Sequence, residues 1–101
     1  MEKDVYYYYA QRGECLFVFD KYEEALKDLN IALAGDSTLD EAYFNRYAIL
    51  ERQGELTQSM RDINNAIELV PDNIRYQYGK ANLFEKLGER DSAIVYYTRT
   101  F

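Results

Sequence analysis

Residues 25–33 read ALKDLNIAL, and 34 positions further on residues 59–67 read SMRDINNAI. Lys27-Asp28-Leu29-Asn30 meets Arg61-Asp62-Ile63-Asn64, and Ala32 meets Ala66. Working outward at the same offset, Arg12 aligns with Arg46 and Lys80, and Leu16 with Leu50 and Phe84. Ala25 aligns with Ser59 and Ala93, Leu26 with Met60 and Ile94, and Leu29 with Ile63 and Tyr97. Gly54-Glu55 falls on Gly88-Glu89, and no insertion is needed anywhere. Self-similarity at a fixed period of this size means one supersecondary unit repeated, each copy burying the face of its neighbour.

Inside each unit the hydrophobic period is helical. Tyr43, Tyr47 and Leu50 share one face, then Leu56, Met60, Ile63 and Ile67 form a second stripe after the break at Gln53-Gly54. Val70-Pro71-Asp72-Asn73 ends that stripe, because proline lacks the amide donor and restrains the residue before it, and Asp72 or Asn73 can cap the next helix. The pattern predicts helices over 4–18, 22–34, 40–52, 56–69, 73–86 and 90–101. Gly54 and Gly88 stand where a left-handed residue closes the first helix of a pair, and Asp20 takes that place in the first unit.

The chain of 101 residues suits a single domain. Its net charge of -6 argues against nucleic acid or an anionic membrane as partner, since phosphate binding needs a basic footprint. No apolar run has the length of a membrane span, and no signal-peptide pattern opens the sequence. With one cysteine, Cys15, an internal disulfide is impossible, so a reducing, cytoplasmic setting is the expectation.

Chemistry-bearing motifs are scarce. There is no histidine, which removes histidine-based acid–base catalysis, catalytic triads and histidine-liganded zinc. Glu23-Glu24 are adjacent on a helix and diverge by roughly 100° instead of converging on a substrate. Cys15, mid-helix beside Leu16, is expected to be a buried, inert thiol, the alternative being a redox sensor. Of the 11 tyrosines, Tyr6-Tyr7-Tyr8-Tyr9 circle a helix, and most others fall at packing positions, against an aromatic cage. No cofactor or metal site is expected, and the chain reads as a binding module, not an enzyme.

The repeat length and the ladder of small residues resemble the tetratricopeptide repeat. Tyr9, Gly13 and Leu16 match its first helix, and Ala25 and Ala32, with Tyr22 and Leu29, match its second. Tyr43, Leu50, Ser59, Ala66 and Pro71 match in the second unit, and Ala81, Phe84 and Ala93 in the third. Departures are Tyr47 at a small-residue position, Ser37 for the closing proline, Gln77 for a bulky residue and Thr100 for the last alanine. Tyr47 requires a shifted helix or a small neighbour. The resemblance implies an all-α, right-handed superhelical stack of three antiparallel helix pairs. It forms one domain, 1–101, with units at about 6–39, 40–73 and 74–101, the last truncated and without a capping helix.

The resemblance also implies a function: a protein–protein interaction scaffold whose first helices line a concave groove for a peptide or partner segment. The groove positions are Tyr7, Ala10, Gln11, Glu14, Phe17 and Val18, then Glu41, Phe44, Asn45, Ala48, Glu51 and Arg52. The third unit adds Arg75, Tyr78, Gly79, Asn82, Glu85 and Lys86. Tyr7, Glu14, Phe17, Phe44, Asn45, Ala48, Arg75, Tyr78 and Asn82 are the candidate peptide contacts. Asparagine amides would grip a peptide backbone and aromatics would pocket its side chains. The cationic clamp by which one subclass holds chaperone-tail carboxylates is poorly matched: Asn45 fits, Arg75 keeps the charge, and Glu14 has the wrong sign. The alternative is a fragment of a longer array that self-associates at high concentration through Leu83, Leu87, Ile94 and Tyr97.

Overall fold

In the computed structural model, which describes residues 2–88, five helices follow one another: α1 (Glu2–Val18), α2 (Tyr22–Gly35), α3 (Asp40–Arg52), α4 (Leu56–Leu69) and α5 (Ile74–Lys86). No strand occurs among the described residues. The sequence-predicted bounds agree closely with all five, and the helix expected over 90–101 lies outside the described residues. α1 pairs with α2 and α3 with α4, and α3 and α5 join successive units.

The helix ends follow from local chemistry. Asp20 (φ 63°) and Gly54 (φ 82°) both adopt the left-handed conformation. In each case the next amide reaches back to close the helix, Lys21 N–H to the Leu16 carbonyl (2.8 Å) and Glu55 N–H to the Leu50 carbonyl (2.9 Å). The two units therefore turn identically although one uses aspartate. Asn73, not Asp72, caps α5, its side chain accepting from the Tyr76 amide at 3.2 Å.

The small-residue ladder lies where helices touch. Ala25, Ala32, Ser59, Ala66 and Ala81 are fully buried. Gly13 lies under Leu29: a Cβ there would come within 2.9 Å of the Leu29 side chain. Tyr47, the departure from the pattern, is accommodated by a small neighbour. Its ring rests on Gly79, and its hydroxyl donates to the Gly79 carbonyl at 2.9 Å. Ser59 Oγ donates to the Tyr47 carbonyl at 3.0 Å, tying α4 to the same spot.

The recurring basic and aspartate positions are ion pairs between the two helices of a unit. Arg12 holds Asp28 through Nε (2.6 Å) and Nη2 (2.9 Å), and Arg46 holds Asp62 at 2.8 Å through the same two nitrogens. Both aspartates are buried. Arg46 also donates Nη1 to Asn30 Oδ1 (2.9 Å), linking the second unit to the first.

Two expectations are corrected. Cys15 is exposed, not buried. Its counterparts one and two repeats on, Ile49 and Leu83, are both fully buried, because the preceding unit covers them. Cys15 occupies the same register on α1, the first helix among the described residues, where no described unit covers it. Leu83 is likewise no part of an open apolar end: at 0% exposure it packs in a core cluster with Tyr47, Ile63, Ala66 and Tyr76. Leu87 is 41% exposed, while Ile94 and Tyr97 lie outside the described residues.

Candidate functional site: the face of the first helices

α1, α3 and α5 carry the positions expected to line the groove. In the first unit Tyr7, Gln11 and Val18 are exposed, Glu14 and Phe17 are half-buried, and Ala10 forms part of the core beneath. In the second, Phe44 and Ala48 are half-buried and Asn45 is only 9% exposed. In the third, Tyr78 and Arg75 are exposed and Asn82 is half-buried. Tyr7 and Tyr78 thus present the largest open aromatic surface on this face. Asn45 has the least access of the candidate contacts, and Asn82 has more.

Phe44 belongs as much to the core as to the surface. Its ring lies 5.4 Å from that of Tyr47 and 5.1 Å from that of Tyr76. Tyr76 is fully buried, and its hydroxyl donates to Asp40 Oδ2 at 2.6 Å. Burial first, and the bond to the Asp40 carboxylate second, push the Tyr76 hydroxyl pKa well above its ordinary value.

The cations of this face are each held by the preceding unit. The Arg52 guanidinium lies 4.8 Å above the Phe17 ring and donates to the Tyr22 hydroxyl at 3.3 Å. Arg75 lies 4.8 Å above the Phe44 ring, with Glu41 Oε1 at 3.6 Å. Lys86 pairs with Glu51, whose carboxylate is largely buried. A guanidinium on an aromatic face is worth roughly 0.5–1 kcal/mol at an exposed site. These pairings fix the aromatics and spend the cations within the wall. Arg75, the one cation at a clamp position, is already committed to Phe44 and Glu41.

These pairings were hidden in the sequence, although a signal existed. Glu41 and Arg75 occupy the same position in adjacent units, and opposite charges at equivalent positions of neighbouring first helices are placed to meet. The Arg12–Asp28 and Arg46–Asp62 pairs were visible as recurring residue types, but not as partners.

The comparisons with known proteins agree with the geometry. No family model matches the chain. The Arabidopsis OM64 TPR domain superposes with a TM-score of 0.91 over 99% of this chain and 83% of that one, at 14% identity. The fold is that of a tetratricopeptide-repeat solenoid. The second TPR of Spaghetti (RPAP3), solved bound to the HSP90 peptide SRMEEVD, superposes with a TM-score of 0.89 at 19% identity, covering 97% of this chain and 85% of its own. MamA gives a TM-score of 0.89 at 22% identity over 97% of this chain and 57% of its own. By sequence, 65 residues are 32% identical to protein unc-45 homolog B of Xenopus tropicalis. They make up 64% of this chain and 7% of that much longer protein. No helix among the described residues is long and apolar enough to cross a membrane.

Proposed function

We propose that the chain is a protein-interaction scaffold that holds an extended peptide or partner segment against the face of α1, α3 and α5. The observation that carries this reading is the combination of exposed aromatics, Tyr7 and Tyr78, with half-buried Phe17 and Phe44 locked under Arg52 and Arg75. A pre-fixed aromatic wall binds side chains without first losing the entropy of ordering itself. The peptide-bound state of the RPAP3 domain, a structural neighbour, supports the same use of the fold.

The contacts assigned are Tyr7, Glu14, Phe17, Phe44, Ala48, Tyr78 and Asn82, with Asn45 shaping the wall beneath and Arg75 lying over Phe44. Glu14 on this face and the commitment of Arg75 disfavour an acidic peptide tail as the ligand and favour a neutral or basic segment. The protein acts by binding and not by catalysis, in a cytoplasmic setting, without a cofactor. The second reading, a self-associating fragment of a longer array, keeps Leu87, Ile94 and Tyr97 as its candidate residues and drops the buried Leu83.

The test is capture of binding partners by the chain and by Tyr78→Ala and Asn82→Ala variants, with Phe44→Ala as a third. Phe44→Ala is read together with its melting curve, because its ring also packs in the core. Loss of the captured partner on changing Tyr78 or Asn82, with the fold intact, supports the reading. Undiminished capture by every variant sinks it.

A further inference from the structure

The polar side chains on the face of α1, α3 and α5 fall into two groups. The cations are engaged, each reaching back from the helix that follows. Arg52 of α3 lies on Phe17 of α1, Arg75 of α5 reaches Phe44 and Glu41 of α3, and Lys86 of α5 pairs with Glu51 of α3. A middle row is not engaged. Among the described residues, no hydrogen bond or ion pair reaches the side chains of Gln11, Glu14, Asn45 or Asn82. Amides elsewhere in the fold do find partners: Asn30 accepts from Arg46, Asn73 accepts from the Tyr76 amide, and Gln77 donates to the Pro71 carbonyl.

Asn45 and Glu14 set two different demands. Asn45 is only 9% exposed, and a nearly buried amide without a partner carries a cost that a bound group can recover. A peptide backbone, with a donor and an acceptor on each residue, meets that need. Glu14 is half-buried and charged, at the same register as the half-buried Ala48 and Asn82. On the pattern of the wall its cation is due from α3. That helix offers Ala48 at the register and turns Arg52 to Phe17 instead. Glu14 is therefore left open by the residues of α3 itself. Of the other carboxylates on this face, Glu41 and Glu51 are matched, and Glu85 is exposed in the last turn of α5.

Resting on the peptide-binding reading above, we propose that Glu14 selects the ligand by a lysine or arginine side chain. The segment's backbone meets the Asn82 amide and the edge of Asn45 that reaches the surface. One of its side chains crosses Ala48 toward α1, and the cation closes on the Glu14 carboxylate. The small Ala48 leaves space for an aliphatic stem, and Val18, 68% exposed one turn beyond Glu14, flanks its other side. A long stem with a charged tip is the side chain that uses both features. The pair also discriminates. A glutamate at that place would set like charges together, and a neutral residue would leave the half-buried carboxylate covered and unpaired.

The test begins with short random peptides, displayed and selected against the chain, then synthesised with a fluorescent label for anisotropy. A lysine or arginine should recur at one position. Glu14→Gln should weaken such a peptide about tenfold, and replacing the peptide's basic residue by norleucine should weaken it to a similar extent, the two losses not adding. Glu14→Lys should invert the preference, taking the glutamate version of the peptide over the basic one. Glu24→Gln on α2 changes the net charge by the same amount and should leave affinity unchanged. Peptides that depend on Tyr7 and Tyr78 but carry no recurring cation, or bind Glu14→Gln as they bind the parent, overturn the inference and leave the binding face standing. Peptides that ignore the loss of both tyrosines overturn the face, and the inference with it. A library that yields no binder does the same.

Discussion

Replacing Asp62 by alanine should be among the most damaging single changes in the second unit, and more damaging than the equivalent change at Asp28. Asp62 is buried, and its two oxygens accept from Nε and Nη2 of Arg46 at 2.8 Å each. The bond to Asp62 is the main reason the Arg46 pKa is raised, against the opposing effect of its burial. Breaking a fully buried pair costs roughly 3–5 kcal/mol, because the surviving charge is left without compensation. Arg46 is 24% exposed and keeps Asn30, so a loss of about 2–3 kcal/mol is the reasoned figure. Asp28→Ala should lose less, since the Arg12 side chain it frees is half in water. Urea denaturation of both variants gives the comparison. The double variant Arg46→Met, Asp62→Leu should recover most of the loss, because two apolar groups of similar volume need no compensation. Equal losses at Asp28 and Asp62, or a double variant as unstable as Asp62→Ala, would refute the reasoning that burial sets the cost.

Three further outcomes are expected. Ala66→Leu should destabilise by roughly 1–3 kcal/mol through overpacking, since Ala66 is fully buried beside Ile63 and Tyr76; an unchanged melting temperature would show that no tight contact exists there. Tyr76 has a raised pKa in the fold against 10.0 for an ordinary tyrosine, so its contribution is complete below pH 10 and is lost as the pH rises above that value. Tyr76→Phe should cost about 1–2 kcal/mol at neutral pH and flatten the alkaline decline in stability; a decline as steep as that of the parent would show that other tyrosines govern it. Asp20→Gly should stabilise by roughly 0.5–1 kcal/mol in a thermal melt, because Asp20 sits at φ 63° where glycine is free of strain, and destabilisation would mean that the Tyr22 contact with Asp20 matters more.

The helix bounds and the pairing of helices were legible because the repeat offset and local turn chemistry act within a single unit. Asp20, Gly54 and Pro71 each end a helix by their own backbone preferences. The solution to Tyr47 was partly legible: the sequence demanded a small neighbour, and Gly79 is one, but which residue filled that role depended on the crossing of α3 and α5. Cys15 departs from expectation for the opposite reason. Its register is a core register, as Ile49 and Leu83 demonstrate, and only its place at the edge of the described stack leaves it exposed. The candidate groove positions were those that the resemblance to the tetratricopeptide repeat implies, carried onto the 34-residue register. That Asn45 would be nearly covered, and that Arg52, Arg75 and Lys86 would be spent on Phe17, Phe44, Glu41 and Glu51, required the side chains in place.

The central claim is that the face of α1, α3 and α5 holds an extended peptide. The most direct measurement is selection of binders from a displayed library of unstructured peptides, followed by fluorescence anisotropy with two variants of the chain. One changes Tyr7 and Tyr78 to alanine; the other changes Lys27 and Arg61 on the outer helices to glutamate. The account predicts selected peptides that lose at least tenfold in affinity for the first variant and bind the second as they bind the parent. Peptides that tolerate the loss of both tyrosines but fail on the outer-helix variant would contradict it.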